Sequence, residues 1–375
     1  MYRPHAATLA LVIAAGFAPS MVWAQVDCAG NLPYTQRQLL VQSRYVEYYA
    51  SHDLGAYNPD VKRAVFMVHG QSGLARDYYD ALDGSKCVAE KLGWAPNATR
   101  ENILIAPHFL GDDQENVVLP SDHHYWKGNS WAAGYHSEVS PTVSSFSVMD
   151  AFISQLTGAR SAHSLARRFP NLRMIVVAGL SAGGQFAQRY AATNARDGNL
   201  SGIQMRYVVA SPSSYLYLDN RRPYYDDVEG IGVPYVYAGF PGMWYPRPGF
   251  YTAPFCPLTY NAWKYGLDQL NTYAGAVGVA TMRERLLSRS VIVLVGTEDN
   301  DPHDDTIDTD CPARLQGPGR FDRGHKFVDY LDERFPTHHH WLIEVPGAHH
   351  DAREMFGQPD PSFAGTGSLV LFADF

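Results

Sequence analysis

Cysteine is scarce, with four in 375 residues, and no two of them stand as C-x-x-C. Zinc-ribbon and dithiol-redox chemistry therefore lack their usual spacing. H-E-x-x-H, G-x-G-x-x-G and P-loop patterns are also missing. A zinc protease, a dinucleotide enzyme and a P-loop NTPase have no sequence support, and neither a cofactor nor a metal is expected. Basic charge is in short supply: 30 Lys and Arg stand against 38 Asp and Glu, for a formal net charge of −8. Without a basic run or an interleaved basic and aromatic stripe, nucleic acid is not an expected partner. Internal repeats and low-complexity tracts are absent as well.

The chain has one sustained apolar run near its start, from Ala6 to about Ala18. It is well short of the roughly 20 residues that span a bilayer, so stable membrane insertion is not expected. Arg3 precedes the run and Val22-Trp23-Ala24 follows it, which reads as a secretory signal peptide over 1–24. The remaining residues, 25–375, are expected to form a single domain, secreted or periplasmic. An oxidising compartment favours two disulfides among Cys28, Cys87, Cys256 and Cys311. Neighbourhood along the chain favours Cys28 with Cys87 and Cys256 with Cys311.

With 46% hydrophobic residues the chain can bury a full core. Short β-branched runs fall at 64–68, 102–106, 173–178, 205–210, 290–295 and 340–345. Helical patterns lie between them at about 144–169, 182–196 and 323–335, with Ser144 or Ser145 as a cap for the first. This alternation predicts an α/β fold built on a mostly parallel, doubly wound sheet. From 211 to about 289 the rhythm breaks into a stretch dense in Tyr, Pro and Gly. That is too long for an ordinary connection and is read as a lid or cap insertion over the carboxyl ends of the strands. The competing reading is an aromatic packing layer without substrate contact.

The run "VVAGLSAGGQF" carries G-x-S-x-G at Gly179–Gly183, with a strand before it and a helical pattern after it. A serine hydroxyl is a weak nucleophile near neutral pH and needs a base, and the base needs an acid to orient it. In a strand-turn-helix context of this kind the acid and the histidine follow the serine along the chain. After the strand at 290–295 comes "GTEDNDP", which offers Asp299 as the acid, with Asp301 and Glu298 as rivals. After the strand at 340–345 comes "PGAHHDAREMF", which offers His349 and His350. Spacing alone does not separate that pair. His69-Gly70 ends an early strand, so the backbone N–H of Gln71, together with that of Ala182, is expected to form the oxyanion hole. Trp126 and Trp131, in the loop 119–134, and Tyr215, in "SPSSYLYL", are candidate walls of the substrate cleft. The acidic stretch 299–310 is rich in oxygen ligands of the kind calcium takes, but it lacks the Gly and terminal Glu of an EF-hand loop and is read first as a hydrated loop pinned by Cys311, with structural calcium as the alternative.

From about residue 60 to 357 the chain resembles the α/β-hydrolase superfamily, and more closely a group of secreted bacterial and fungal hydrolases. "GLSAGGQFAQRYA", "YVVASPSSYLYL", "GTEDNDP" and "VPGAHHDAREMF" carry the likeness; polyhydroxyalkanoate depolymerases and feruloyl esterases look like more distant relatives. The resemblance implies a triad of Ser181, Asp299 and His350, and so favours His350 over His349. The expected activity is hydrolysis of carboxylic esters through an acyl-enzyme. The aromatic insertion suggests an apolar or aromatic group on the substrate. A peptidase or an acyltransferase on the same residues, or a non-catalytic binding protein on the same fold, are the alternatives.

Overall fold

The computed structural model describes residues 28, 34–114, 119–161, 164–223, 249–252, 256, 259–357 and 366–374. The expected signal peptide, and the aromatic part of the expected lid at 224–248, lie outside the described residues. Eight strands form the central sheet: β1 (Thr35–Val41), β2 (Arg44–Ala50), β3 (Arg63–Val68), β4 (Asn102–Pro107), β5 (Met174–Leu180), β6 (Gln204–Ala210), β7 (Val291–Gly296) and β8 (His340–Val345). Their spatial order is β1-β2-β4-β3-β5-β6-β7-β8. The first two pair antiparallel with each other, β2 pairs antiparallel with β4, and β3 through β8 run parallel.

All the residues of β3, β4 and β7 are buried. Strands covered on both faces need apolar side chains in both directions, which is why these segments read as unbroken apolar runs. One face is covered by helices α1 (Ala75–Lys91), α7 (Ala352–Phe356) and α8 (Thr366–Phe372), through Tyr79, Leu82, Met355, Phe356 and Leu371. The other is covered by α2 (Ser145–Thr157), α3 (Ala182–Thr193), α4 (Thr272–Val277), α5 (Val279–Ser288) and α6 (Arg320–Arg334). Phe152, Phe186, Met282 and Phe327 belong to that second core. Each such side chain contributes about 1.5–3 kcal/mol by leaving water.

Helix α2 starts at the expected cap, where Ser144 Oγ accepts from the Phe146 N–H. It ends at Thr157, well before 169, because the chain turns at Gly158 into a short antiparallel pair, 159–161 with 164–167. At the other end of the chain, the buried guanidinium groups of Arg63 and Arg206 donate to the carbonyls of Phe372, Val370 and Ala373. These close the carboxyl end of α8, where last-turn carbonyls lack helical partners and the dipole favours cations.

Cys28 is joined to Cys87, and Cys256 to Cys311, with Cα separations of 5.8 and 5.9 Å. The bridges span 59 and 55 residues. On the chain-entropy model, rings of that size each destabilise the unfolded state by about 4 kcal/mol. No helix among the described residues is long and apolar enough to cross a membrane.

Candidate active site

The turn from β5 into α3 carries Ser181 in the left-handed region, at φ 60° and ψ −120°. A non-glycine residue held there costs about 1–3 kcal/mol, which its surroundings must supply. They supply it by close packing. A Cβ on Gly183 would strike the carbonyl of Val68, and one on Gly179 would strike the backbone of Gly183. The two glycines of G-x-S-x-G therefore let the helix start hard against β3 while the serine projects from the turn. Gly183→Ala is expected to lower stability by about 3 kcal/mol or more, since the obstacle is backbone and cannot swing aside. A denaturant melt with an unchanged midpoint would contradict this.

Asp299 lies just past the end of β7 and His350 just past the end of β8, at the same carboxyl rim of the sheet as Ser181. His350 Nδ1 is 2.7 Å from Asp299 Oδ2. Since an ionised carboxylate only accepts, Nδ1 carries the proton and Nε2 is the ring nitrogen left without a partner among the described residues. His349 is turned away: its side chain is exposed and its Nδ1 sits 3.1 Å from Glu354 Oε2. Asp301 and Glu298, the rival acids, are exposed, and Asp301 is engaged with the N–H of His303.

Asp299 has a second partner that no sequence motif marks. Arg320, fully buried, donates from Nη1 to Asp299 Oδ1 at 3.3 Å, and from Nη2 to Asp304 Oδ1 at 3.1 Å and Thr306 Oγ1 at 2.8 Å. Burial pushes the Asp299 carboxyl up, but the hydrogen bond from His350 and the charges of His350 and Arg320 outweigh it and hold the group below the usual carboxylate range. Both oxygens are thus clamped, one by the base and one by the arginine. Arg320 stands 21 residues from Asp299, so only the fold reveals the pairing.

His69 is buried beside the start of the expected oxyanion loop. Its Nε2 accepts from the Phe109 N–H at 3.0 Å, so Nδ1 is the donor to the Gly70 carbonyl at 2.7 Å. Burial pushes this histidine down to about 3, which keeps it neutral and in that tautomer. The bond fixes the plane of the Gly70–Gln71 peptide, and with it the direction of the Gln71 N–H. Ala182 is the first residue of α3, whose opening N–H groups have no intrahelical acceptor.

Gln71, Ala182 and Ser181 open onto one cleft of about 240 Å³, with Asn129, Gln185, Lys264 and the segment 305–308 on its other sides. Trp126, Trp131 and Tyr215 do not line it, which corrects the expectation that they form its walls. All three are fully buried. Trp131 stacks on Phe109 with centroids 5.4 Å apart, Trp126 donates its indole N–H to the Tyr135 carbonyl, and Tyr215 stacks on Phe327 at 4.7 Å. Large rings at strand ends gain more from core packing than from a wet rim.

The acidic stretch 299–310 is tied up internally. Asp304 accepts from the Thr306 N–H at 2.7 Å, Asp308 from the Asp310 N–H at 3.0 Å, and Lys264 Nζ donates to Asp308 Oδ2 at 3.1 Å. Among the described residues no group of three or more His, Cys, Asp or Glu side chains is arranged to hold a metal ion.

No family model matches the chain, and no curated protein matches it in sequence. Solved structures do match. A poly(aspartic acid) hydrolase of Sphingomonas sp. KT-1 is similar over 87% of this chain and 96% of its own, with TM-score 0.53 and 17% identity. The poly(3-hydroxybutyrate) depolymerase LpqC of Bordetella parapertussis is similar over 89% and 91%, with TM-score 0.52 and 16% identity. Likeness at this identity concerns the fold, and the chain has the α/β-hydrolase fold.

Proposed function

We propose that this protein is a serine hydrolase of carboxylic esters, exported from the cytoplasm, with Ser181, His350 and Asp299 as its triad. The observation that supports it most is the His350–Asp299 hydrogen bond at the sheet rim where Ser181 sits in a strained strand-to-helix turn. His350 Nε2 takes the proton of Ser181 Oγ as that oxygen bonds to the acyl carbon. The carbonyl oxygen gains negative charge, which the N–H groups of Gln71 and Ala182 receive. As the tetrahedral adduct collapses, the C–O bond to the alcohol breaks and His350 returns its proton to the leaving oxygen. Water, deprotonated by the same Nε2, then releases the acid and frees Ser181. Asp299 stays ionised throughout, holding the imidazole in its tautomer and stabilising the imidazolium; Arg320 holds Asp299.

Export is supported by the apolar amino-terminal run and by the two disulfides. Amide cleavage by the same residues is the second reading, favoured by the name of one structural neighbour, a poly(aspartic acid) hydrolase. Matched ester and amide substrates with a common acyl group, assayed with and without an added acceptor alcohol, separate the classes. Faster acid release from the ester, unaffected by the alcohol, is expected. Faster amide cleavage would make the protein a peptidase-like amidase, and transfer to the alcohol would make it an acyltransferase.

A further inference from the structure

Gln185 lies one helical turn after Ser181, its N–H donating to the Ser181 carbonyl at 3.0 Å, and its side chain faces the same cleft. Its Oε1 accepts from Arg189 Nη1 at 2.9 Å and from Ser214 Oγ at 3.2 Å. A guanidinium has no acceptor, so the orientation of the amide is set by chemistry: oxygen toward Arg189, nitrogen away from it. Arg189 is itself fully buried, and its remaining hydrogen bonds go to the carbonyls of Ala132 and Lys264 and to Ser214 Oγ. Among the described residues it has no carboxylate bonded to it, so it depends on the Gln185 oxygen. The Gln185 Nε2 group has no partner in the protein among the described residues, and with Oε1 held by Arg189 and Ser214 it is the amide atom left for the cleft that Gln185 lines.

Lys264 adds a second donor on the same cavity, since among the described residues its Nζ donates one hydrogen bond, to Asp308, which leaves further N–H groups for a ligand. The charges lining the cavity are Lys264 against Asp305 and Asp308. One cation against two carboxylates disfavours an anionic ligand, while the spare donors call for an oxygen acceptor. An acceptor-free alkyl group placed there would strip water from Gln185 Nε2 and return nothing.

We propose that Gln185 is a specificity-determining residue whose Nε2 donates to a second, uncharged oxygen of the substrate, a ketone, ether or hydroxyl within a few bonds of the scissile carbonyl. This rests on the ester-hydrolase reading of the same cleft. A site built to hydrogen-bond an oxygen rejects the analogue that lacks it far more strongly than an apolar pocket rejects an extra methylene.

Two matched ester pairs test it, with the oxygen in the acyl chain of one and in the alcohol of the other. In 4-nitrophenyl 4-oxopentanoate against 4-nitrophenyl 4-methylpentanoate a carbonyl replaces a methyl-bearing carbon. In 2-methoxyethyl butanoate against butyl butanoate an ether oxygen replaces a methylene. The wild-type protein is expected to favour the oxygenated member of at least one pair by about tenfold in kcat/KM. The 4-nitrophenyl half-ester of succinic acid is expected to be a poorer substrate than the oxopentanoate. Gln185→Glu keeps an oxygen for Arg189 but replaces the cleft donor by an acceptor, so the preference should fall to about unity in the ratio of the two rates. Thermal melts of Gln185→Glu and of Lys264→Met, which leaves Arg189 untouched, check that the comparison is between folded proteins.

Equal rates on both pairs in the wild type, or a preference that persists in Gln185→Glu, would overturn the assignment. Isothermal titration with N-methyl 4-oxopentanamide against N-methyl 4-methylpentanamide reads the same preference without turnover. If no ester is cleaved yet the oxo amide binds selectively to wild type and not to Gln185→Glu, the catalytic reading fails and the Gln185 contact stands. If neither amide binds and no ester preference exists, the contact is absent.

Discussion

Ser181→Ala is expected to reduce ester turnover by several orders of magnitude, on the order of 10⁶ if the residues act as a unit as in the best-studied triad enzyme. The hydroxyl is the only group on this turn able to form the acyl bond, and alanine fits the same backbone poorly but not impossibly at φ 60°. The fold should survive, because Ser181 makes no side-chain cap bond to α3. Initial rates on a 4-nitrophenyl ester, with a thermal melt run alongside, are the measurement. Near-normal turnover by a folded Ser181→Ala protein would remove Ser181 from the chemistry.

The second large effect is at the acid. Asp299→Asn is expected to cut kcat by about 10⁴-fold, because an amide can present its NH₂ to His350 Nδ1 and hold the ring in the tautomer that cannot accept from serine. Arg320 would also lose one of its two carboxylate partners while keeping Asp304. The buried charge is then less well compensated, and stability should drop by about 1–3 kcal/mol. The linkage sign follows from the direction of the Asp299 shift. A carboxyl held below its ordinary value stabilises the native state at pH above its unfolded pKa, and that contribution is lost as pH falls through the lower folded value. The Asn variant should lack this share of the acid sensitivity in urea melts. Wild-type kcat in the variant would show that Asp299 does not orient the base, and an unchanged acid limb would show that it is not held ionised.

The parts of the fold legible in the sequence were those in which one physical demand dominates. The parallel strands from β3 to β7 are covered on both faces and so announce themselves as apolar runs. The hairpin of β1 and β2 does not: Thr35–Val41 and Arg44–Ala50 mix polar, charged and aromatic residues because only part of this edge is buried. Helix α1 buries a full face of its 17 residues, but Asp83, Ser85 and Lys86 are buried along with Tyr79 and Leu82, so the apolar stripe is interrupted in the sequence. The overrun of α2 past Thr157 came from residues that are compatible with helix but pair as strands after Gly158.

Ser181, Asp299 and His350, the proposed triad, each follow a strand end, which is what makes them candidates from the sequence. Spacing left His349 and His350 equivalent, and it is the direct contact with Asp299 that distinguishes them. Gln185 was within reach, since four residues after a helix-starting serine falls on the same face. Arg320 and the tautomer of His69 were not, because each depends on a partner distant in the chain. Trp126, Trp131 and Tyr215 have chain positions that suit a cleft wall, but the apolar area of each ring favours burial, and all three are core residues.

Covalent labelling is the most direct test. A fluorophosphonate probe incubated with the folded, disulfide-intact protein, followed by digestion and mass mapping, is predicted to modify one residue, Ser181, with labelling strongly slowed in His350→Ala. An adduct on any other residue, or no adduct on protein that melts cooperatively, would contradict the serine-hydrolase mechanism.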